Sequence, residues 1–269
     1  ELYTSDEVDA VYISTTHNFH FEQSLKCIQH GKAVLCEKPI TINDKELKQL
    51  TALSKEKKVF LMEAMWTYFL PALIKAQQWV NENKIGGLKV IQADFSFAVE
   101  KNLTGRMYNP HLAGGALLDL GVYNVALATF FMNRKPESIA ATGVLTETGV
   151  DATTTMLLNY GNTVAMLCTS MVTRMANKLC LFGETGYIEI PDFWRTRSCK
   201  LFDKDFNLIE GYDDERTSHG FIYQMQHATD RILANEIESN IIPHQRSIEI
   251  QEILTEVRRQ IGFKYPMEK

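Results

Sequence analysis

Residues 8–15, Val-Asp-Ala-Val-Tyr-Ile-Ser-Thr, are a short β-branched run after an acidic turn and read as a buried strand. From there to residue 62 the pattern repeats. Phe19 to His30 places Phe21, Leu25 and Ile28 at helical spacing and stops at Gly31, a residue suited to the position just past a helix end. Ala33 to Glu37 is the next strand. Asn43 caps a second helix, with Glu46 three positions on and Leu47, Leu50 and Leu53 as its apolar stripe. Val59 to Met62 is a third strand. Strand, helix, strand, helix, strand at this spacing is a βαβαβ unit, hence parallel and right-handed.

After Ala64 the texture changes. Pro71 opens a helix carrying Leu73, Ile74, Trp79 and Val80, closed by Gly86-Gly87. Strands follow at residues 90–97, 139–145, 153–160, 163–173, 178–182 and 187–190, with hairpin turns at Tyr160-Gly161-Asn162 and at residues 183–186. One helix, residues 116–132, interrupts them, and two more, 221–235 and 247–261, close the chain. In Thr163 to Thr173, Val164, Met166 and Cys168 alternate with Ala165, Leu167 and Thr169, which is consistent with burial on both faces. The expected fold class is therefore α/β plus α+β: a partial Rossmann-type parallel sheet, then a larger, mostly antiparallel open β-sheet domain with flanking helices. Residues 1–65 form the first unit and 66–269 the second, which would bind substrate and pair subunits.

Only the second half of the doubly wound sheet is expected. Such a fold carries its phosphate-binding glycine turn after the first strand, and no GxGxxG occurs in the sequence. At ~30 residues per βαβ unit, about 60 residues would lie upstream. Glu1-Leu2-Tyr3 would then be the tail of a helix, and a natural half-sheet is the weaker reading because it would expose an unpaired apolar edge.

Two distant segments carry the chemistry. Gly114-Gly115-Ala116-Leu117-Leu118-Asp119-Leu120-Gly121-Val122-Tyr123 sets a carboxylate and a phenol four residues apart, on one face of a helix. Glu37-Lys38-Pro39 puts a lysine where a strand would deliver it to a ligand crevice. Tyr123 is the candidate general acid/base. A free phenol titrates near pH ~10, too high for efficient exchange near neutrality, and a nearby Lys38 ammonium would lower that value. Asp119 would accept from a second substrate hydroxyl or orient the lysine, although a carboxylate favoured by the helix dipole is a competing reading. From spacing alone an ordinary helix tyrosine is the stronger reading of Tyr123. Pro39 forces Lys38 out of the α region and is a candidate cis-proline. His17 and His20 sit at the crevice edge, and Trp66, Phe193 and Trp194 would wall the pocket unless they are core residues. Asp151 reads as a turn residue at a strand start, with no chemistry.

Composition sets limits. An apolar fraction of 45% with 23% charged residues is ordinary for a globular protein, and a net charge of −5 argues against a nucleic-acid partner. Five cysteines, odd in number and without a CxxC pair, point to a reduced, cytoplasmic setting. Only His17 and His20 lie close together, so no metal site is expected. No apolar run of spanning length is read in the sequence, so no membrane partner is expected either.

In this order the motifs resemble the Gfo/Idh/MocA oxidoreductase family, within it the branch of dihydrodiol dehydrogenase, glucose-fructose oxidoreductase and xylose dehydrogenase. Glu37-Lys38-Pro39 resembles the family's EKP signature, Gly114 to Tyr123 its GGxLxDxGxY motif, and Val11 to His20 the segment lining the nicotinamide side of the cofactor. Glu63-Ala64-Met65-Trp66, Ile188 to Trp194 and Arg258 to Gly262 are similar to the same branch. The resemblance implies hydride transfer between NADP or NAD and a carbinol of a sugar, polyol or trans-dihydrodiol. It implies a cofactor contact set of Thr15, Thr16, His17, His20, Glu37, Lys38 and Pro39, and a substrate set of Lys38, Trp66, Asp119, Tyr123 and Trp194. It further implies a homodimer through the second-domain sheet. Thr16 departs from a usual proline, and Tyr68 from a frequent arginine, which would alter the pocket's shape or charge. A non-catalytic, ligand-sensing protein on the same scaffold is the alternative. Keeping Lys38, Asp119 and Tyr123 together favours the enzyme, because a sensor needs no proton relay.

Overall fold

A computed structural model describes residues 2–268. Glu1 lies outside the described residues, and Leu2–Thr4 form a single 3-10 turn. The βαβαβ unit is present: β1 (Ala10–Ile13), α1 (His17–Gln29), β2 (Ala33–Glu37), α2 (Asp44–Lys57) and β3 (Leu61–Ala64). The three strands are parallel in the order β1-β2-β3, with Ala10 opposite Ala33 and Cys36 opposite Glu63. Asn43 caps α2 by accepting from the Glu46 N–H at 2.9 Å. Ile13, Ile28, Val34, Leu47, Leu50 and Leu61 close the core between sheet and helices. The outer edge of β3 is covered by the chain itself. Leu61 N–H donates to Ile237 O at 3.0 Å, and His244 Nε2 contacts Leu61 O at 2.9 Å.

The second sheet has eight strands, β4 (Leu88–Ser96), β5 (Ser138–Leu145), β6 (Asp151–Asn159), β7 (Val164–Ser170), β8 (Lys178–Gly183), β9 (Gly186–Pro191), β10 (Ser198–Asp203) and β11 (Leu208–Asp213). Their order is β11-β10-β9-β8-β4-β7-β6-β5. Every neighbouring pair is antiparallel except β4 with β7, whose parallel register sets Val90 against Val164 and Ser96 against Ser170. The hairpin β10–β11 is absent from the sequence reading because its residues, with Lys200, Asp203, Glu210 and Asp213 interspersed, lack a continuous apolar run.

Helices α3 (Pro71–Asn81), α4 (Val122–Met132), α5 (Phe221–Leu233) and α6 (His244–Gln260) complete the chain. The helix expected over 116–132 is divided: Leu117–Gly121 is a widened, π-type turn, and α4 follows it. Pro110–Met132 is, by length and composition, apolar enough to cross a membrane (23 residues, mean hydropathy 1.5), contrary to the sequence reading. Its most apolar 18-residue window is 89% buried inside the fold, as a core segment is. In β7 one of the two apolar faces is covered within the chain. Ala165 and Leu167 are buried, but Met166 is 48% exposed, so one face of the sheet is open in the single chain.

Asp151 sits fully buried at the start of β6, where its Oδ2 accepts from Leu117 N–H (2.8 Å) and from the Thr154 hydroxyl (2.9 Å). It therefore anchors the π-type turn to the sheet. Burial pushes this carboxyl up to about 7. A folded-state pKa above the unfolded value means that stability is fully present below about pH 4 and is lost as pH rises towards 7. Asp151→Asn keeps an acceptor for Leu117 and cannot ionise. Urea unfolding from pH 4.5 to 8 should show the variant gaining on the parent by up to a few kcal/mol. A pH-independent gap would show that this carboxyl titrates normally.

Candidate active site

The carboxyl ends of β1 and β2 open on one crevice, the place where parallel α/β sheets hold ligands. From β1 the chain passes through Ser14, Thr15 and Thr16 into the first turn of α1, which carries His17 and His20. From β2 it passes through Glu37, Lys38 and Pro39, and the Lys38–Pro39 peptide bond is cis. A cleft of about 370 Å³ lies between them, lined by Ser14, Thr15, Thr16, His17, His20, Glu37, Lys38, Arg106 and Asp119. His20 joins the two segments, Nδ1 at 2.9 Å from Pro39 O and Nε2 at 3.0 Å from Thr15 O. Beneath them, Glu63 at the end of β3 accepts from Ile40 N–H at 3.1 Å and fixes the chain just past the cis bond. Pro39 is itself buried, so it shapes the crevice through its backbone.

The second domain brings Asp119 to this crevice. Lys38 Nζ donates to the Asp119 main-chain O at 2.6 Å and to Oδ1 at 3.3 Å. Arg106 grips the same carboxylate with two parallel bonds, Nη1–Oδ1 at 2.8 Å and Nη2–Oδ2 at 3.2 Å. Burial alone would raise the pKa of Asp119, but Lys38 and then Arg106 hold it well below the usual carboxylate range. Burial works against the charge of Lys38 too. Asp119, then Tyr123 and Glu37, more than offset it, so the ammonium persists. His17 Nε2 lies 3.7 Å from Asp119 Oδ1, but burial pulls the His17 pKa down to about 3, so this contact joins a neutral imidazole to a carboxylate. Its Nδ1 is 3.2 Å from Ala113 O.

Tyr123 lies behind the lysine. Lys38 Nζ is 4.8 Å from its ring centroid, and its hydroxyl oxygen accepts from the Trp66 indole N–H at 2.8 Å. Lys38 pulls the phenol pKa down, as expected from the sequence, and so does the Trp66 N–H, yet burial is the larger influence and the net shift is upward. The expectation of a lowered value is therefore corrected for the chain on its own. Trp66, Tyr123 and Trp194 do not border the cleft; they form an aromatic wall beside it. Trp66 stacks on Phe221 at 4.4 Å and meets Trp194 edge-on at 6.4 Å, while Phe95 meets Tyr123 at 5.4 Å. Phe193 is wholly buried and belongs to the core. Tyr68 is corrected likewise. It points away from the pocket and donates to Ala126 O, with Thr129 Oγ1 at 3.1 Å.

Two site residues escape the sequence reading, Arg106 and Phe221. Phe221 opens a helix after Gly220 and carries no motif signal. Arg106 is the only lysine or arginine between Lys101 and Arg134, and that isolation beside a motif aspartate is the one clue available. Gly114 explains its placement. A Cβ there would meet Met107 O at 2.5 Å and Arg106 O at 2.6 Å, so only glycine lets this backbone lie against the motif.

The donor set suits the nicotinamide and ribose end of a dinucleotide. Hydroxyls from Ser14, Thr15 and Thr16, the Lys38 ammonium and the Glu37 carboxylate converge where the two parallel strands end. Among the described residues no glycine-rich strand-to-helix turn accompanies them, so the grip on the pyrophosphate is not part of this set.

Comparison with known proteins agrees. Residues 1–65 match the oxidoreductase family, NAD-binding Rossmann fold (GFO_IDH_MocA), and residues 73–189 match the GFO/IDH/MocA C-terminal domain. Trans-1,2-dihydrobenzene-1,2-diol dehydrogenase of Xenopus laevis is 34% identical over 273 residues, covering 99% of this chain and 82% of the relative. The Homo sapiens protein of the same name is 34% identical over 278 residues, covering 100% and 82%. Two solved structures share the fold. Aldose-aldose oxidoreductase from Caulobacter crescentus, complexed with glycerol, superposes with a TM-score of 0.86 at 19% identity, over 97% of this chain and 79% of that one. A 3-ketoreductase from Actinomadura kijaniata in complex with NADP and TDP-benzene gives 0.85 at 22%, over 97% and 80%. With both of its units matched in order and full-length relatives at a third identity, this chain belongs to the GFO/IDH/MocA family of NAD(P)-binding oxidoreductases.

Proposed function

We propose that the protein is an NAD(P)-dependent dehydrogenase acting on a carbinol of a sugar, a polyol or a trans-dihydrodiol, with Tyr123 as its general acid/base. The observation that carries this reading is the placement of Lys38, bonded to Asp119 and 4.8 Å above the Tyr123 ring. A nicotinamide dinucleotide supplies the hydride acceptor or donor when bound. The residues of this chain manage the proton. In oxidation Tyr123 Oη takes the proton of the substrate hydroxyl, and in reduction it returns one to the carbonyl oxygen. Lys38 favours the phenolate by its charge, and the Trp66 N–H bonded to Tyr123 Oη does so by donation. Trp66, Phe221 and Trp194 offer the apolar wall that a sugar face or a dihydrodiol ring requires. Substrates of this kind are also suggested by the names of the full-length relatives. Thr15, Thr16, His17, His20, Glu37 and the Lys38–Pro39 turn would hold the nicotinamide half of the cofactor.

The second-domain sheet is proposed as a homodimer face. Its open side carries Val144 (65% exposed), Leu157 (45%) and Met166 (48%), with Leu157 and Met166 directly opposite in the β6–β7 register. Along the same side, Tyr187 stacks on Phe182 at 5.6 Å and on Phe202 at 4.7 Å. Exposed apolar side chains at both ends of this face favour its burial against another copy.

Tyr123→Phe should lower turnover by about 100-fold or more while leaving NAD(P)H affinity near the parent value; a variant that turns over dihydrodiols, pentoses and polyols normally would remove Tyr123 from the chemistry. Because burial raises the phenol pKa, the oxidation rate should climb into alkaline pH and the reduction rate should fall there. Lys38→Met should move that limb to higher pH, and an unmoved limb would dismiss the lysine's tuning role. Leu157→Glu with Met166→Glu should convert the dimer to a monomer in light scattering without changing the far-ultraviolet spectrum. A dimeric double variant would assign the interface elsewhere.

A further inference from the structure

Asp119 poses a problem for the proton chemistry just proposed. Lys38 can favour ionisation of Tyr123 only if its charge is not already cancelled, yet its nearest charged partner is a carboxylate on the same turn of the second domain. A buried one-to-one pair of Lys38 and Asp119 would present no net charge to the phenol. The structure contains a third member. Arg106 meets Asp119 through two nearly parallel bonds, while Lys38 takes the main-chain oxygen at 2.6 Å and Oδ1 only at 3.3 Å. Two cations therefore share one carboxylate, and one positive charge is left over on the Tyr123 side.

Of the other groups facing this cluster, Glu37 reduces that excess and the rest leave it in place. His17 is neutral, held so by burial, and both ring nitrogens of His20 lie against backbone carbonyls. Glu37 also reaches the cleft, where its negative charge opposes ionisation of Tyr123 and offsets part of that excess; it accepts from the Tyr12 hydroxyl, which burial and then Glu37 keep neutral. Trp66 donates to Tyr123 and bears no charge.

Nor is Arg106 an ordinary surface partner, whose ion pair would be worth little. The Arg106 side chain is 45% exposed, but the Asp119 carboxylate it grips is only 14% exposed. The Arg106 backbone is clamped: its carbonyl and that of Met107 lie against Gly114, and Gly115 N–H donates to Met107 O at 2.8 Å. The segment before it is folded on Asn102, whose Oδ1 accepts from Thr104 N–H and Gly105 N–H at 3.2 and 3.1 Å. The glycine pair that presents Asp119 thus also presents its guanidinium partner.

We infer that Arg106 is a positioning residue that neutralises Asp119 and so leaves the charge of Lys38 free to act on Tyr123. The inference rests on the reading of Tyr123 as the acid/base. It makes Arg106 the residue that keeps Asp119 a fixed acceptor for the lysine rather than its counter-ion. A planar fork suits this role, because it engages both carboxylate oxygens and leaves the main-chain oxygen to Lys38.

The test uses the full chain with NAD(P)H, comparing the parent, Arg106→Gln and Arg106→Lys. Arg106→Gln should move the rising limb of the oxidation pH–rate profile upward by about one pH unit, and Arg106→Lys, which keeps the charge, by clearly less. Tyrosine labelled with carbon-13 at Cζ, with the Tyr123 signal identified by its loss in Tyr123→Phe, reports the same shift in the resting protein without any turnover. An Arg106→Gln variant whose kcat falls while both the limb and the Tyr123 midpoint stay in place would reduce Arg106 to a structural tie. Equal shifts in the glutamine and lysine variants would equally overturn the charge argument. If no substrate turns over but the Tyr123 midpoint still moves, the dehydrogenase reading fails and the electrostatic coupling stands.

Discussion

The contact on which the site depends is the one between Lys38 and Asp119, 81 residues apart in sequence. It is made where two separately ordered sheets meet, the parallel β1-β2-β3 and the larger sheet behind α4. Without Asp119 the Lys38 ammonium would lose its nearest counter-charge, whereas Asp119 would keep Arg106. A buried ammonium or carboxylate without its counter-charge costs several kcal/mol, and both side chains here are nearly enclosed, at 12% and 14% exposure. The pair is therefore better understood as fixing the register of two units than as a source of stability. Buried ion pairs are weak contributors once desolvation is counted.

Much around that contact exists to hold its two ends. On the first side, His20 ties Thr15 O to Pro39 O, and Glu63 secures Ile40, so the chain on either side of Lys38 is fixed by side chains from α1 and β3. On the second side, Asp151 anchors Leu117 and Gly114 admits the Arg106–Met107 backbone. The aromatic group of Phe95, Trp66 and Trp194 then packs behind Tyr123 and keeps water from its ring. Apart from Gly114 and the partly buried Trp194, each of these supports is buried and either polar or aromatic. This explains how a site assembled from loops and a helix start is held in one geometry.

The sequence disclosed the βαβαβ unit, most strands of the second sheet and the two motifs, because each depends on local periodicity or on short punctuation such as Asn43 with Glu46. What it concealed has a common cause. The β10–β11 hairpin is amphipathic and charged, so periodicity is faint. Met166 looks as apolar as Leu167, and only the packing of helices on one side shows which of them is covered. Tyr68 stands in a motif-like segment, but its hydroxyl is directed into the core by Ala126 and Thr129. The direction of the Tyr123 pKa is not legible in the sequence, which names the nearby charge without measuring the burial that opposes it.

The π-type turn at Leu117–Gly121 shows why motif and mechanism are not the same information. Read as a regular helix, the spacing of Asp119 and Tyr123 says only that two side chains share a face. The actual turn is wider, with Val122 N–H reaching back five residues to Leu117 O. Widened turns loosen the carbonyl ladder, and they recur at functional sites for that reason. Here the Asp119 carbonyl is the atom that Lys38 grips most closely, at 2.6 Å against 3.3 Å to the carboxylate. A backbone oxygen can hold an ammonium without cancelling its charge, whereas a carboxylate cannot.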